Sequence, residues 1–518
     1  MDGAPQLVLR ALPELNALLE SCVVPQDLDA RAFGDWSCSL SGLQIDAASR
    51  LGDVSQLLIG RDWADRTIAM DGVSVETSAQ ARFNRATATS EIYGSTIRAE
   101  LENGRSPNGR PVPVALEHRV DLRRARVDLS AVANNPALPP ELRSRAWCNL
   151  ANSLDDHSRW VEAYEAYSES IRFDPTNGNA LGNITELLRR RLEAGHGQGG
   201  HYAALYEKFR KLAQSNLGRA AQIAGRVAAQ RWKELPPLTG VGHESHDGIL
   251  EDPYQVWVRS YRLALSHAIE GLGSDNPRWD DATLDSVIQS SENIEYPPIF
   301  AALNVLKAEY LLARRMVFDA DKSLEQNPFD QDERDTGTYV DTLDMSTYGQ
   351  VSASLILAQR SALDVLDKIA VAANLHFETG LMSNKVWFKS YWFDLGSGHI
   401  RKGLPRRLEP GGSLVALAEL SFDVSEDGLY AESLMLRNAG THRLVHIQHL
   451  DAKGVTSEAQ SSVDVQELIV SCIQTLQIAR SAFLYLIDLI HEQQDAIQAE
   501  GPGVVALPIF LQGQWDEQ

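Results

Sequence analysis

The run Ala146-Trp147-Cys148-Asn149-Leu150-Ala151 is answered by Ala180-Leu181-Gly182-Asn183, and from Ala146 to Ala180 is 34 residues. Between them fall Ala163, Tyr167, Phe173 and Pro175. The small side chains of Ala151 and Ala163 let two antiparallel helices approach closely, while Trp147 and Tyr167 fill the space between them. Pro175 cannot continue a helix and ends the second one. A pattern of this kind repeating at a fixed period predicts helical hairpins that stack, each burying its apolar face on the next.

This pattern resembles the tetratricopeptide family, with Ser170 standing where a small Ala is usual. An earlier echo, Ala81-Arg82-Phe83-Asn84-Arg85-Ala86, begins 65 residues before Ala146, close to two periods, and Asp62-Trp63-Ala64 reads as the helix preceding it. The array is therefore assigned to residues 40–235. Helical patterning runs through Tyr202–Arg231 and breaks at Pro236-Pro237-Leu238-Thr239-Gly240-Val241-Gly242, a boundary composition. Residues 1–39 stay unassigned, and the Gly/Pro-rich stretch 103–113 carries too little pattern to place.

At 518 residues the chain predicts more than one domain. Its 44% hydrophobic and 23% charged residues are ordinary for a globular protein. Met1-Asp2-Gly3-Ala4-Pro5 has neither the basic start nor the apolar core of a signal peptide. The apolar segment Leu468 to Ile490 is interrupted by Gln474, Gln477, Arg480 and Asp488, which makes it a buried amphipathic helix rather than a membrane span. A cytoplasmic location without membrane contact is expected. Cys22, Cys38, Cys148 and Cys472 lack CxxC spacing, which argues against a disulfide framework and a zinc ribbon. A net charge of -22 argues against a broad nucleic-acid-coating surface, so any RNA contact must be focal. No Walker loop, GxGxxG or GxSxG motif is present.

Residues 236–290 read as a connector holding a helix over Tyr254–Leu272. Residues 291–498 read as a helical bundle of Ile299–Val317, Val351–Leu375, Leu414–Phe422, Tyr430–Gln448 and Val463–Glu492, and residues 499–518 as a tail. Trp387, Phe388, Tyr391, Trp392 and Phe393 form an aromatic cluster suited to plugging one end of it.

Within the bundle lies Arg437-Asn438-Ala439-Gly440-Thr441-His442, an RNxxxH sequence. Arg followed five residues later by His is weak evidence alone: with 38 Arg and 13 His it is expected about once, and Arg191/His196 and Arg262/His267 repeat it. Only the third has Asn after the Arg, sits in the bundle, and is followed by a polar loop, Asp451–Ser462, and a long apolar helix. The residue types suit RNA cleavage, in which a histidine moves protons near neutral pH and an arginine neutralises the phosphorane. On an ideal helix Asn438 and His442 share a face, whereas Arg437 and His442 lie ~140° apart.

With Asn304-Val305-Leu306-Lys307-Ala308-Glu309-Tyr310, the Asp364–Ile369 stretch and Arg480-Ser481-Ala482-Phe483-Leu484-Tyr485-Leu486, residues 291–498 resemble the HEPN superfamily, and specifically the branch that bacteria attach to tetratricopeptide arrays. The resemblance implies a mainly α protein, a tetratricopeptide-like helical solenoid followed by a HEPN-type helical bundle. It further implies a metal-independent endoribonuclease with Arg437, Asn438 and His442 as catalytic residues and no cofactor. A toxin or an antiphage or stress effector, regulated through its repeats, is the corresponding role. Asp367 and Arg443 are candidates to support the site, and Arg401, Lys402, Arg406 and Arg407 to contact RNA. Expected partners are the RNA substrate, a protein or peptide on the repeats, and a second copy of the chain. A homodimer through the bundle would unite two copies of the motif in one positive cleft. The competing metal trio His442, His446 and His449 lacks a glutamate between its first two members. The alternative function is a non-catalytic interaction scaffold that uses the repeats and a dimerising bundle.

Overall fold

The computed structural model of the chain describes residues 5–21, 29–102, 116–195, 197–239, 242, 252–271, 279–290, 296–326, 335–342, 346–394, 400–401, 404, 412–425, 427–431, 444–448, 460–499 and 504–508. The chain divides into two compact units: residues 1–190 with 205–239, and residues 191–204 with 240–518.

The first unit is helical. It holds α1 (Pro5–Ser21), α2 (Ala30–Leu51), α3 (Val54–Ile68), α4 (Val75–Glu102), α5 (Leu116–Ala133), α6 (Pro140–Asp155) and α7 (Trp160–Phe173), each packed on the next. Then follow α8 (Gly178–Ala194) and α9 (Gly199–Ser215), of which residues 191–204 belong to the second unit, and α10 (Leu217–Lys233). Helix α2 runs across the boundary drawn at residue 40. Local signals set the helix ends: Gly52 closes α2 at φ 67, and the Asp53 side chain accepts the Ser55 and Gln56 amides to start α3. The hairpin read from the sequence is α6 and α7, with Ala151, Ala163 and Tyr167 buried in it. The unusual Ser170 has a reason. Its hydroxyl donates to the Ser144 carbonyl at 2.8 Å, the Ser144 hydroxyl donates back to the Ser170 carbonyl at 2.8 Å, and the Asn177 amide reaches Ser144 Oγ at 3.1 Å. Gly182 lies flat on the buried Trp232 ring, where a Cβ would collide with it.

The second unit contains α11 (Pro253–Ser260), β1 (Ser286–Ser290), α12 (Pro298–Gln326), β2 (Ser346–Thr347), α13 (Gln350–His376), α14 (Phe388–Tyr391), α15 (Ser413–Asp423), β3 (Leu444–Gln448), β4 (Gln460–Asp464), α16 (Val465–Ala499) and β5 (Val504–Pro508). Its core is α16, which packs against α12, α13 and α15 and buries Leu468, Cys472, Leu476, Ala479, Phe483, Leu486 and Ile490. By length and composition α16 would pass for a membrane span, yet 83% of its most apolar window is buried inside the unit. Phe388, Tyr391, Trp392 and Phe393 are buried, while Trp387 is exposed, so four of the five aromatics plug the bundle.

Three sequence expectations are corrected. The helix expected over Tyr254–Leu272 ends at Ser260, because Arg262 turns left-handed (φ 51) and the Leu263 amide bonds back to the Val258 carbonyl at 2.8 Å. That is a Schellman closure made without the usual glycine. The helix expected over Tyr430–Gln448 is, from Leu444 onward, the strand β3, antiparallel to β2 and parallel to β4. The tail contains β5, which pairs antiparallel with β1 from Ser286↔Pro508 to Ser290↔Val504.

Candidate active site

Arg437, Asn438, His442 and Arg443, with Lys402, Arg406, Arg407 and His449, lie outside the described residues. What can be built is the frame on either side of the RNxxxH sequence. Helix α15 and the turn at residues 427–431 precede it, and β3 follows it. The Tyr430 amide bonds to the Asp423 carbonyl at 2.7 Å, which fixes where the chain leaves α15.

Asp367 on α13 accepts the Phe388 amide at 2.9 Å and so starts α14, a structural task the sequence did not reveal. Arg401 is half-buried and holds backbone. Its Nε donates to the Tyr391 carbonyl at 2.7 Å, and its Nη2 to the Ser390 and Phe393 carbonyls, each at 2.9 Å. These bonds make Arg401 the clamp of the aromatic plug.

Strand β3 carries His446. Its Nδ1 lies 3.1 Å from Tyr348 Oη, the rings meet edge to face at 6.1 Å, and Tyr348 Oη lies 3.3 Å from Thr342 Oγ1. On a strand, residues i and i+4 are about 13 Å apart, so the helical spacing that made His442 and His446 a metal pair does not hold beyond Leu444. Among the described residues no group of three or more His, Cys, Asp or Glu side chains is placed to hold a metal ion.

One member of each RxxxxH decoy, Arg191 and His267, meets the other in an arrangement that sequence reasoning missed. Asp488 of α16 is 1% exposed and receives Arg191 (Nη1 to Oδ2 3.1 Å, Nη2 to Oδ1 3.2 Å) and His267 Nε2 (3.1 Å). Burial pushes the Asp488 carboxyl up, but the charge of Arg191 and the bond from His267 outweigh it and hold the group well below the usual carboxylate range. One turn further on, burial raises Glu492 to about 7, against bonds from the Ser413 hydroxyl (2.8 Å) and amide (3.1 Å) that lower it. Asp488, one of the four polar interruptions of the apolar segment, was the sequence signal for this cluster. Closed off in the core, it fastens residues 191–204 and 262–270 to α16 within the second unit.

Residues 290–493 match the family model of LA2681-like HEPN domains. This stretch is a HEPN domain. It spans β1 to α16 and encloses both the RNxxxH sequence and the Tyr348–His446 pair. The HEPN match stops short of Arg191, His267 and β5, all of which pack within the same unit. No curated protein matches the chain.

Proposed function

We propose that the HEPN domain is a metal-independent endoribonuclease that cleaves RNA by attack of the 2′-hydroxyl, with Arg437, Asn438 and His442 as its catalytic residues. The observation that carries this reading is the HEPN match over residues 290–493, a domain class generally associated with nucleases, around an RNxxxH sequence. The residue chemistry agrees, since histidine moves protons near neutral pH and arginine supplies paired donors to phosphate oxygens. Regulation through a tetratricopeptide-like array, pairing of two bundles, and a toxin or defence role belong to the same proposal. Their support is the consecutive helix packing of the first unit and the overall acidity that one copy of the motif must overcome.

The test is RNA cleavage by the purified chain in excess EDTA. Wild type is expected to leave 2′,3′-cyclic phosphate ends and to spare DNA, which lacks the attacking hydroxyl. His442→Ala and Arg437→Ala are expected to be inactive with unchanged circular dichroism. Cleavage by His442→Ala at the wild-type rate overturns the assignment. A second reading, an interaction scaffold without catalysis, is favoured by the helical first unit and is what remains if wild type cuts no RNA.

A further inference from the structure

A seam between packed helices is ordinarily filled by apolar side chains. Where α3, α4 and α5 meet, the filling is charged instead. Arg61 and Asp65 lie one turn apart on α3, Arg85 stands on α4, and Asp121, Arg124 and Asp128 recur at each turn of α5. Together they enclose a cavity of about 100 Å³, room for several waters or one phosphoryl group. Ala125 is the one apolar residue in its lining, and its short side chain leaves the volume open. Buried ion pairs add little stability over apolar packing, so stability alone does not account for this seam.

The bonding around the cavity is uneven. Its inner wall is closed: Asp128 accepts from Arg85 Nε and Nη2, each at 2.7 Å, and from Arg82 Nη1 at 3.1 Å, while Arg85 Nη1 donates to Asp65 at 2.8 Å. The mouth is not. Arg61 gives one bond, Nη1 to Asp121 at 3.0 Å, and Arg124 makes only a 3.6 Å ion pair with Asp65, beyond hydrogen-bond reach. Each guanidinium carries five N–H donors, so most of those on Arg61 and Arg124 have no acceptor among the described residues. Both heads reach solvent, at 27% and 61% exposed, so the cavity has an open way in. With Arg82 included, four arginines face three aspartates, a local positive surplus in a chain of net charge -22.

We propose that this cavity binds a phosphoryl group, held between Arg61 and Arg124 at the mouth with the charge of Arg85 behind it. Guanidinium groups from separate helices approach from different sides, which suits a tetrahedral oxyanion. A planar carboxylate is satisfied edge-on by a single fork. Asp121, 48% exposed and held by one bond, turns to water as the phosphoryl group takes its place on Arg61. The site lies wholly within the first unit and stands independently of the ribonuclease reading.

The experiment titrates the full chain with inorganic phosphate in a calorimeter, against chloride at matched ionic strength. One saturable site is expected. Arg61→Gln and Arg124→Gln are each expected to weaken binding by about tenfold, the worth of one charged hydrogen bond. Ala125→Leu fills the cavity while keeping every charge, and is expected to weaken binding at least as much. Circular dichroism identifies misfolding, and the two arginine variants, altered at part-exposed positions, carry the test if Ala125→Leu does not fold. A phosphoserine peptide and a nucleoside monophosphate then distinguish the source of the group. Whichever binds about tenfold tighter than the inorganic ion assigns the site to a protein partner or to a free nucleotide, and equal affinities assign it to the ion itself. Acetate competing as well as phosphate overturns the choice of ligand. Absence of saturable binding, or binding kept within threefold in both arginine variants, overturns the site.

Discussion

Both units hold arginines against aspartates, but they solvate them differently. In the first, Arg61, Arg85 and Arg124 meet Asp65, Asp121 and Asp128 around a polar cavity of about 100 Å³ between α3, α4 and α5. Arg85 is bonded twice to Asp128 at 2.7 Å and once to Asp65 at 2.8 Å, while Arg82 also reaches Asp128 at 3.1 Å. In the second, Arg191, His267 and Asp488 are shut into the core. The same pairing therefore has different consequences when broken. Around the cavity a second arginine, Arg82, already reaches Asp128 and stands ready to compensate, whereas beside α16 the polar neighbours, Tyr202 and Glu492, are themselves held in the core.

The sharpest way to break this contrast is Asp488→Ala. Leaving Arg191 and His267 buried without their anion is expected to cost ~3–5 kcal/mol in urea unfolding of the full chain. A loss below ~1 kcal/mol would mean the core is wetter than its geometry implies.

Next comes the pH dependence set by Glu492. Its folded pKa, raised to about 7, exceeds its unfolded value of 4.5, so its contribution is full below about 4.5 and is lost as pH rises through 7. At ~1.4 kcal/mol per unit, the swing is roughly 2 kcal/mol once solvent screening is allowed for. Glu492→Gln is expected to flatten that slope in melts between pH 5 and 8. Asp488 acts with the opposite sign: its depressed pKa adds stability above about 4, which is lost only as pH falls below that.

Arg85→Ala should cost ~1.5–3 kcal/mol, since three charged hydrogen bonds are lost but Arg82 stays on Asp128. Smallest is Arg172→Ala, whose pair with Glu169 is a surface one, 62% and 33% exposed, and is expected to change stability by less than ~1 kcal/mol. If Arg85→Ala equals Asp488→Ala in cost, the contrast fails.

Much of this fold was written locally. The α6–α7 hairpin, α12, α13, α15 and α16 are legible because apolar residues recur at helical spacing within one segment. The strands were not, because β3 carries only the five residues Leu444-Val445-His446-Ile447-Gln448, and its identity comes from β2 and β4 rather than from its own period. Arg262 ends α11 in a conformation usually marked by glycine, so no residue type announced it. At the site, the RNxxxH sequence was visible as a motif, whereas Tyr348 was not: its partner His446 is 98 residues away. Likewise, Arg191 and Asp488 are 297 residues apart. Pattern reading finds what a segment does to itself, and these contacts are made between segments.

The β1–β5 pairing gives the second unit a mechanical grain. Because the strands are antiparallel with Ser286 opposite Pro508, the chain entering β1 and the chain leaving β5 emerge from the same end of the ribbon. Pulling on the strand end at Pro508 therefore loads the hydrogen-bonded pairs one after another, as in unzipping, and does not shear all five at once; β5 would peel away at low force before the load reached α16, where resistance begins.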